Sequence, residues 1–244
     1  MYDIHAHVIP NIDDGPKDFN TSLDILKEMY QQGIEGVIAT PHIRLGKFNN
    51  TISTLSSAYH QFCSDLGERH DIPKLKYAAE VHLTPDLVPW VKNNKVPYLA
   101  KKDQTQYVLL ELPENHYPSG TNQLCKWLLN NGVIPVIAHP ERCRYWYNSS
   151  AGISALVEIG CLMQITASSI IGRFRQESMA LAMGLIESNK VFCIASDTHN
   201  LTHRSCQMLS ARDKINNYFD KEIVDDLFVN NPKMLFVNCI NDCA

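Results

Sequence analysis

Two histidines stand one residue apart near the start of the chain, His5 and His7 in DIHAH. In an extended segment residues i and i+2 share a face, so both imidazoles can reach one metal ion while Ala6 faces away. Asp197 and His199, in SDTH, repeat that spacing far along the chain. Between them lie His42 in ATPH, Glu80 in YAAE, Glu111 in VLLE and His139 in AHPER. Mixed imidazole and carboxylate donors suit zinc, manganese or iron(II) and argue against calcium. The set needs no cysteine, which speaks against a structural zinc site. Cations so held polarise phosphoryl oxygens and activate water for attack. Any one of these residues alone is ordinarily a hydrogen-bonded or solvated side chain. The inference rests on the set.

These residues matter only if the fold makes them converge. Short apolar runs recur at Tyr2–Ile4, Gly36–Thr40, Leu75–Ala79, Tyr107–Leu110, Val133–Ala138, Cys161–Ile165 and Val191–Ala195. Most are rich in Val, Ile or Leu without strict alternation, as in strands buried on both faces. Amphipathic stretches separate them. Leu23, Ile25, Leu26, Met29 and Tyr30 mark one helix, ending near Gly33; Leu55, Ala58, Tyr59, Phe62 and Leu66 mark another, ending near Gly67. Gly132 and Gly160 stand where helices should stop before the next strand. Further helices are expected around 120–130, 151–159, 176–188 and 205–229. Seven strands alternating with helices predict an α/β fold with a parallel sheet. Ligand-type residues follow six of the seven runs, at the carboxyl ends where parallel α/β folds build sites. A closed barrel gathers those ends on one rim better than an open sheet does.

Composition narrows the function classes. At 244 residues and 45% hydrophobic, the chain can bury a large core in a single domain spanning 1–244. A net charge of −4 gives no reason to expect nucleic acid or an acidic membrane surface as partner. No apolar run approaches the ~18 residues of a membrane span, so no membrane insertion is expected. The N-terminus has no basic segment or apolar signal core, and a cytoplasmic location is expected. The eight cysteines are scattered without a CxxC pair, which predicts reduced, structural thiols.

DIHAH, the IDDG that follows it, ATPH, the Glu of YAAE, AHPER and SDTHN together resemble the polymerase and histidinol phosphatase (PHP) superfamily. The chain is most similar to its branch of bacterial manganese-dependent protein tyrosine phosphatases encoded with capsule and exopolysaccharide systems. The likeness runs from residue 1 to about residue 236, ending in NPKMLF. It implies a distorted seven-stranded (β/α)7 PHP barrel with three divalent metal ions. Manganese is implied by the family, while zinc or iron(II) fits the same donors. Position by position, the first metal would take His5, His7, Glu80 and Asp197, with Glu80 bridging to a second that adds Glu111 and His139. The third would take Asp14, His42 and His199; Asp14 in IDDG points to the tyrosine phosphatase branch. Arg142 and Arg204 fit the family's phosphate-binding arginines. The implied substrate is a phosphotyrosine protein, an autophosphorylating bacterial tyrosine kinase of polysaccharide synthesis. The loop IRLGKFNN departs from a common pattern, and Arg44, Lys47 and Phe48 either meet the phosphopeptide or are solvated.

The charges agree with this reading. Asp14, Glu80, Glu111 and Asp197 carry four negative charges against six from three divalent cations, leaving +2 before Arg142 and Arg204 are counted. A phosphomonoester carries about −1.5 to −2 near neutral pH. The expected mechanism is in-line attack by a metal-bound hydroxide, with the arginines clamping the equatorial oxygens. The rival cysteine route needs a thiolate followed five residues later by arginine. Cys143 is followed by Tyr145 and Trp146, and no cysteine has an arginine at that spacing. Two other functions compete: a small-molecule phosphomonoesterase such as histidinol phosphatase, and a non-catalytic metal-binding docking module. The two arginines speak against the docking module. His60, His70, His82, His116 and His203 read as surface or hydrogen-bonded residues. Trp90, Trp127 and Trp146 read as packing, and Asp13 as an orienting residue.

Overall fold

The computed structural model describes residues 1–241. Its strands, in chain order, are β1 (Tyr2–Ala6), β2 (Gly36–Ala39), β3 (His42–Ile43), β4 (Lys74–Tyr77) and β5 (Glu80–His82). Then come β6 (Ala100–Lys102), β7 (Thr105–Glu111), β8 (Val133–Ala138), β9 (Leu162–Thr166) and β10 (Cys193–Ala195). All seven expected runs form strands. The second and third stop early and resume: β3 follows β2 across Thr40 and Pro41, and β5 follows β4 across Ala78 and Ala79. Pro41 has no N–H to give a ladder, which accounts for the first interruption.

One sheet runs β1-β2-β4 and the other β10-β9-β8-β7-β5-β3, all parallel along those paths, with β6 antiparallel to β7. The sheets are tied at both margins. Asp197 N–H donates to His5 O at 2.8 Å and His7 N–H to Thr198 O at 2.8 Å, beside a parallel bridge between Ala6 and Thr198. Across the other margin Ala78 N–H donates to Ala39 O at 2.8 Å and Glu80 N–H to Pro41 O at 3.2 Å. The fold is mixed α/β with parallel sheets.

The helices begin and end where local chemistry allows. Phe19–Gln31 starts at Asp18, whose carboxylate accepts from Thr21 N–H. Ile52–Leu66 starts at Thr51, which forms a reciprocal capping box with Thr54. Gly132 (φ 76) and Gly160 (φ 109) close the helices Thr121–Asn130 and Ala151–Glu158 in left-handed turns, as expected. The helix Gln176–Glu187 is also where the pattern puts one. The stretch 205–229 differs: Met208–Asn216 stops, Asp220 turns extended (ψ 149), and Lys221–Asp225 begins a new helix. Leu87–Lys92, Ala167–Ile170 and Asn231–Asn238 are further helices that the periodicity did not single out.

Two apolar clusters fill the molecule. The larger packs helices such as Ile25, Leu26 and Met29, or Leu55, Tyr59 and Phe62, against the sheets. The smaller holds Ile4, Ile38, Ala78, Leu109, Val136, Ala138 and Ala195. Counting by twos from that cluster leads directly to polar residues: Ile38 to His42, Ala78 to Glu80, Leu109 to Glu111 and Ala195 to Asp197. Alternation along the strand therefore puts these donors on the inner face, just beyond its apolar part. On β1 the parity breaks between Ile4 and His5, and the β1–β2 register shifts within Asp3–Ala6.

Candidate metal centre

All nine expected ligand residues come together. His5 Nε2 lies 3.3 Å from both Glu80 Oε2 and Asp197 Oδ1, and His7 Nε2 is 3.3 Å from the same Glu80 oxygen. His42 reaches two acids at once, with Nδ1 2.9 Å from Glu80 Oε2 and Nε2 3.4 Å from Asp14 Oδ1. His199 Nε2 is 3.3 Å from Asp14 Oδ1, and His139 Nε2 is 2.9 Å from Glu80 Oε1. Glu111 Oε2 stands 3.9 Å from His42 Nδ1. The ring of His7 stacks on that of His199, centroids 3.8 Å apart.

Backbone geometry aims two of these side chains. His139 (φ 35) and Asp197 (φ 52) both adopt left-handed conformations, uncommon outside glycine, directly after β8 and β10. Such conformations persist where the surroundings over-determine them, and they gather at functional sites. Gly15 of IDDG is needed for a different reason. A Cβ there would stand 2.8 Å from His7 O, so only glycine lets the loop carrying Asp14 fold back onto β1.

Neighbouring groups hold the donors in register. Gln164 Oε1 lies 2.8 Å from His5 Nδ1, and Asp13 Oδ2 lies 2.6 Å from His7 Nδ1. Asp13 also accepts from His42 N–H at 3.1 Å and Gly15 N–H at 2.9 Å, so it orients His7 and the loop together. Such partners set the tautomer and direction of a ligating imidazole. His82, expected as a surface or hydrogen-bonded residue, is hydrogen-bonded, its Nδ1 2.9 Å from Glu111 Oε2. Glu141 of AHPER is buried and accepts from Thr166 N–H and Ser169 Oγ, pinning the turn after His139. The signals for Gln164 and Glu141 were a polar residue inside an apolar strand and an acid beside a candidate ligand.

The electrostatics are those of a cation site. Burial favours neutral imidazoles, but Glu80 and Asp197 outweigh it at His5 and raise its pKa to about 9. At His42 burial again opposes, and Glu80 with Asp14 drives the value to about 11. His199 goes the other way, to about 4, through burial and the proximity of His7. Burial would raise Glu80 and Asp197, yet neighbouring His5 and His42 for one, and Arg204 and His5 for the other, hold both well below the carboxylate range. Glu80 Oε2, Asp197 Oδ1, His42 Nδ1 and His199 Nε2 are all buried, and despite their close approaches to one another and to His5 and Asp14, none is aligned for a hydrogen bond among the described residues. A buried polar atom left so costs about 1–3 kcal/mol. Divalent cations answer all four demands at once, so the donor set fits the metals that the sequence implied. Groups whose donor atoms lie within 4.8 Å of one another are His7, Asp14, His42 and His199; His5, His7 and Glu80; His5, His139 and Asp197; and His42, Glu80 and Glu111.

Arg142 and Arg204 converge on the same rim. Arg142 donates to Asp197 Oδ2 at 2.6 Å and to Glu114 Oε1 at 2.9 Å; Arg204 donates to Asp197 Oδ2 at 2.8 Å. With Asp14, His42, Glu111 and His139 they line a cavity of about 350 Å³. Arg44 and Lys47 also line it, while Phe48 stacks flat on His42 at 5.3 Å. His116 lines the cavity too; His60 instead bonds back to Ser56 O on its own helix.

Cysteine chemistry has no foothold here. Cys143 is fully buried, and burial pushes its thiol up to about 12. With five intervening residues, one position beyond the spacing tested above, two pairs do match, Cys63 with Arg69 and Cys206 with Arg212. Cys63 is on the helix Ile52–Leu66 and disulfide-bonded, which corrects the expectation of eight reduced thiols, and Arg69 pairs with Asp71. Cys206 is buried, which pushes its thiol well above the usual range, and Arg212 pairs with Asp225. None of the four lines the cavity. Six other described cysteines are buried and form no disulfide, and Cys243 lies outside the described residues.

The chain is similar to proteins of known activity. The chain is 32% identical over 243 residues to the tyrosine-protein phosphatase YwqE of Bacillus subtilis, covering 98% of this chain and 92% of that protein. It is 28% identical over 247 residues to the tyrosine-protein phosphatase CpsB of Streptococcus agalactiae, covering 98% and 99%. A crystal structure from work on YwqE of B. subtilis and CpsB of Streptococcus pneumoniae, described as unique metal-dependent tyrosine phosphatases, superposes with a TM-score of 0.89. It is 31% identical and covers 98% of this chain and 95% of that one. A phosphotriesterase homology protein from Escherichia coli shares the fold alone, at TM-score 0.59 and 11% identity over 95% of this chain and 97% of that one. Residues 1–237 match the family described as capsular polysaccharide synthesis, CpsB/CapC, and the chain belongs to that family.

Proposed function

We propose that this chain is a metal-dependent protein tyrosine phosphatase built as one domain over residues 1–244. The observation that carries the proposal is the clustering of nine imidazole and carboxylate donors, four of which (Asp14, His42, Glu111 and His139) line one cavity together with Arg142 and Arg204. Three divalent ions, manganese by family likeness, would be held by His5, His7, Glu80 and Asp197, by Glu80, Glu111 and His139, and by Asp14, His42 and His199. The parallel path β1, β2–β3, β4–β5, β7, β8, β9 and β10 supports reading the sheets as a seven-unit barrel. The substrate in this reading is an autophosphorylated tyrosine kinase of polysaccharide synthesis, and the location is the cytoplasm.

Bound cations would supply charge neutralisation at the phosphoryl group and an activated water. The chain's own contribution is orientation and further charge. Asp197 tethers one N–H of each arginine and leaves others for equatorial phosphoryl oxygens, in the forked geometry guanidinium favours. Tyrosine, with a phenol pKa of about 10, leaves more readily than an alkyl alcohol. The test is turnover of a phosphotyrosine peptide and of histidinol phosphate after chelation and manganese return. Restored activity preferring the peptide is expected, and Arg204→Ala should cost about 10²–10³ in kcat, the usual scale for losing a transition-state donor. A preference for histidinol phosphate would replace the substrate, and inactivity on both would leave a docking module.

A further inference from the structure

Beside the metal cavity, and sharing Glu114 and Arg142 with it, lies a second cleft of about 200 Å³. Three more arginines line it. Arg144 comes from the turn after His139, and Arg173 and Arg175 from the segment that leads into the helix Gln176–Glu187. The one acid in its lining is Glu114, already engaged by Arg142 at 2.9 Å. Arg173 is braced from outside the cleft, its guanidinium donating to Thr202 O and Ser205 Oγ. No hydrogen bond or ion pair among the described residues holds the guanidinium of Arg144 or Arg175. The Phe174 ring lies 4.9 Å from the Arg142 guanidinium, so an aromatic face sits where the two cavities meet.

This concentration of positive charge runs against the chain as a whole, whose net charge is −4. Like charges gathered without acidic partners repel one another, and guanidinium is the group best matched to carboxylate and phosphate. The position matters as much as the sign. A phosphorylated side chain in the metal cavity would carry its neighbours across the shared Glu114–Arg142 boundary. We propose that the arginine cleft binds a second anionic group, a carboxylate or a phosphate, on the same peptide whose phosphotyrosine enters the metal cavity. The inference rests on the phosphatase reading above and extends it to substrate selection.

The test uses the double variant Arg144→Gln, Arg175→Gln of the metal-loaded protein, since neither residue touches the reacting group. Four substrates are compared: p-nitrophenyl phosphate, a phosphotyrosine peptide with neutral flanks, the same peptide flanked by glutamates, and one with a second phosphotyrosine. KM for the anion-flanked peptides is expected to rise about tenfold with kcat unchanged, the worth of one lost charge-assisted hydrogen bond. The other two substrates should move less than about twofold on the same scale. Which flanked peptide loses more tells carboxylate from phosphate. Equal losses on all four substrates, or no loss on the flanked peptides, overturn the proposal. A second measurement does not depend on phosphotyrosine turnover. Labelled peptides with phenylalanine at the central position, flanked by glutamates or phosphoserines, are titrated by fluorescence anisotropy. Binding that weakens in the double variant upholds the cleft even if phosphotyrosine hydrolysis fails and the phosphatase reading falls alone. No binding, or binding indifferent to the substitutions, rejects the cleft.

Discussion

His7 can turn Nε2 towards Glu80 and Asp197 because its other nitrogen is already engaged. Asp13 Oδ2 lies 2.6 Å from Nδ1, and His7 in turn holds the Asp13 carboxyl down to about 2 against the upward push of burial. The carboxylate therefore stays charged at any physiological pH and fixes the ring. Removing it should leave the nine donors in place but free His7 to rotate. Asp13→Ala is expected to weaken manganese binding by about 10–100-fold, the usual cost of losing such a partner, with circular dichroism unchanged. Titration by isothermal calorimetry checks this, and an unaltered affinity would reduce Asp13 to a loop anchor. The contrast with Asp14 shows what is legible at this scale. Eight of the nine donor-type residues that gather here announce themselves by type and spacing, whereas Asp14 was singled out only by the family resemblance. Their supports were not readable, because Gln164 and His82 are neighbours of the donors only across strands, and a pairing register is not written in either segment. Asp13 was readable as an orienting group but not for what it orients.

Between Ile43 and Ile52 the chain leaves β3, passes Arg44 and Lys47 along the cavity with Phe48 stacked on His42, and enters a helix at Thr51. The capping box there anchors a helix whose Leu55, Tyr59 and Phe62 are buried against the sheets. Thr51→Ala removes both the side-chain acceptor and its reciprocal contact with Thr54, at a cost of about 1 kcal/mol. In a chain of this size that lowers Tm by about 2–4 °C. Turnover should be unchanged, because Thr51 makes no contact with the donors; a thermal melt beside a kinetic assay separates the effects. Elements such as this helix were legible through cap, apolar spacing and terminal glycine, each a local signal. Where local signals were weak the reading failed. The break at Asn217–Asp220 interrupts a stretch with no proline or glycine, and the short helices Leu87–Lys92 and Ala167–Ile170 lack a full amphipathic period. The interruptions at Thr40–Pro41 and Ala78–Ala79 depend on how two strands pass from one sheet to the other, which composition does not encode.

At the scale of the molecule the donors close a circuit. β1, β3, β5, β7, β8 and the segment after β10 each end at the cluster, so cations bound there would join elements far apart in sequence. A ligand held only by the folded state stabilises it by mass action, by about 2.7 kcal/mol at a hundredfold excess over Kd. Chelation should therefore lower Tm reversibly as well as abolish turnover. The size of that effect should depend on pH, with a definite sign. In the folded chain His5 titrates near 9 and His42 near 11, above the unfolded value of 6.5, because Glu80 and its neighbours outweigh burial. Proton binding by these two groups thus stabilises the chelated fold fully below pH 6.5; the share of His5 is lost as pH rises through about 9 and that of His42 as it rises through about 11. Cations need the same lone pairs unprotonated, so protons and metal compete. The gain in Tm on adding manganese should therefore grow between pH 6.5 and 9, while the Tm of the chelated protein falls. Proton release on metal binding, read by calorimetry in buffers of different ionisation enthalpy, should shrink over the same window as His5 gives up its proton unaided. A Tm gain that is flat or falls with rising pH would mean that the cations do not displace protons from His5 and His42, and the ligand assignment would fail with it.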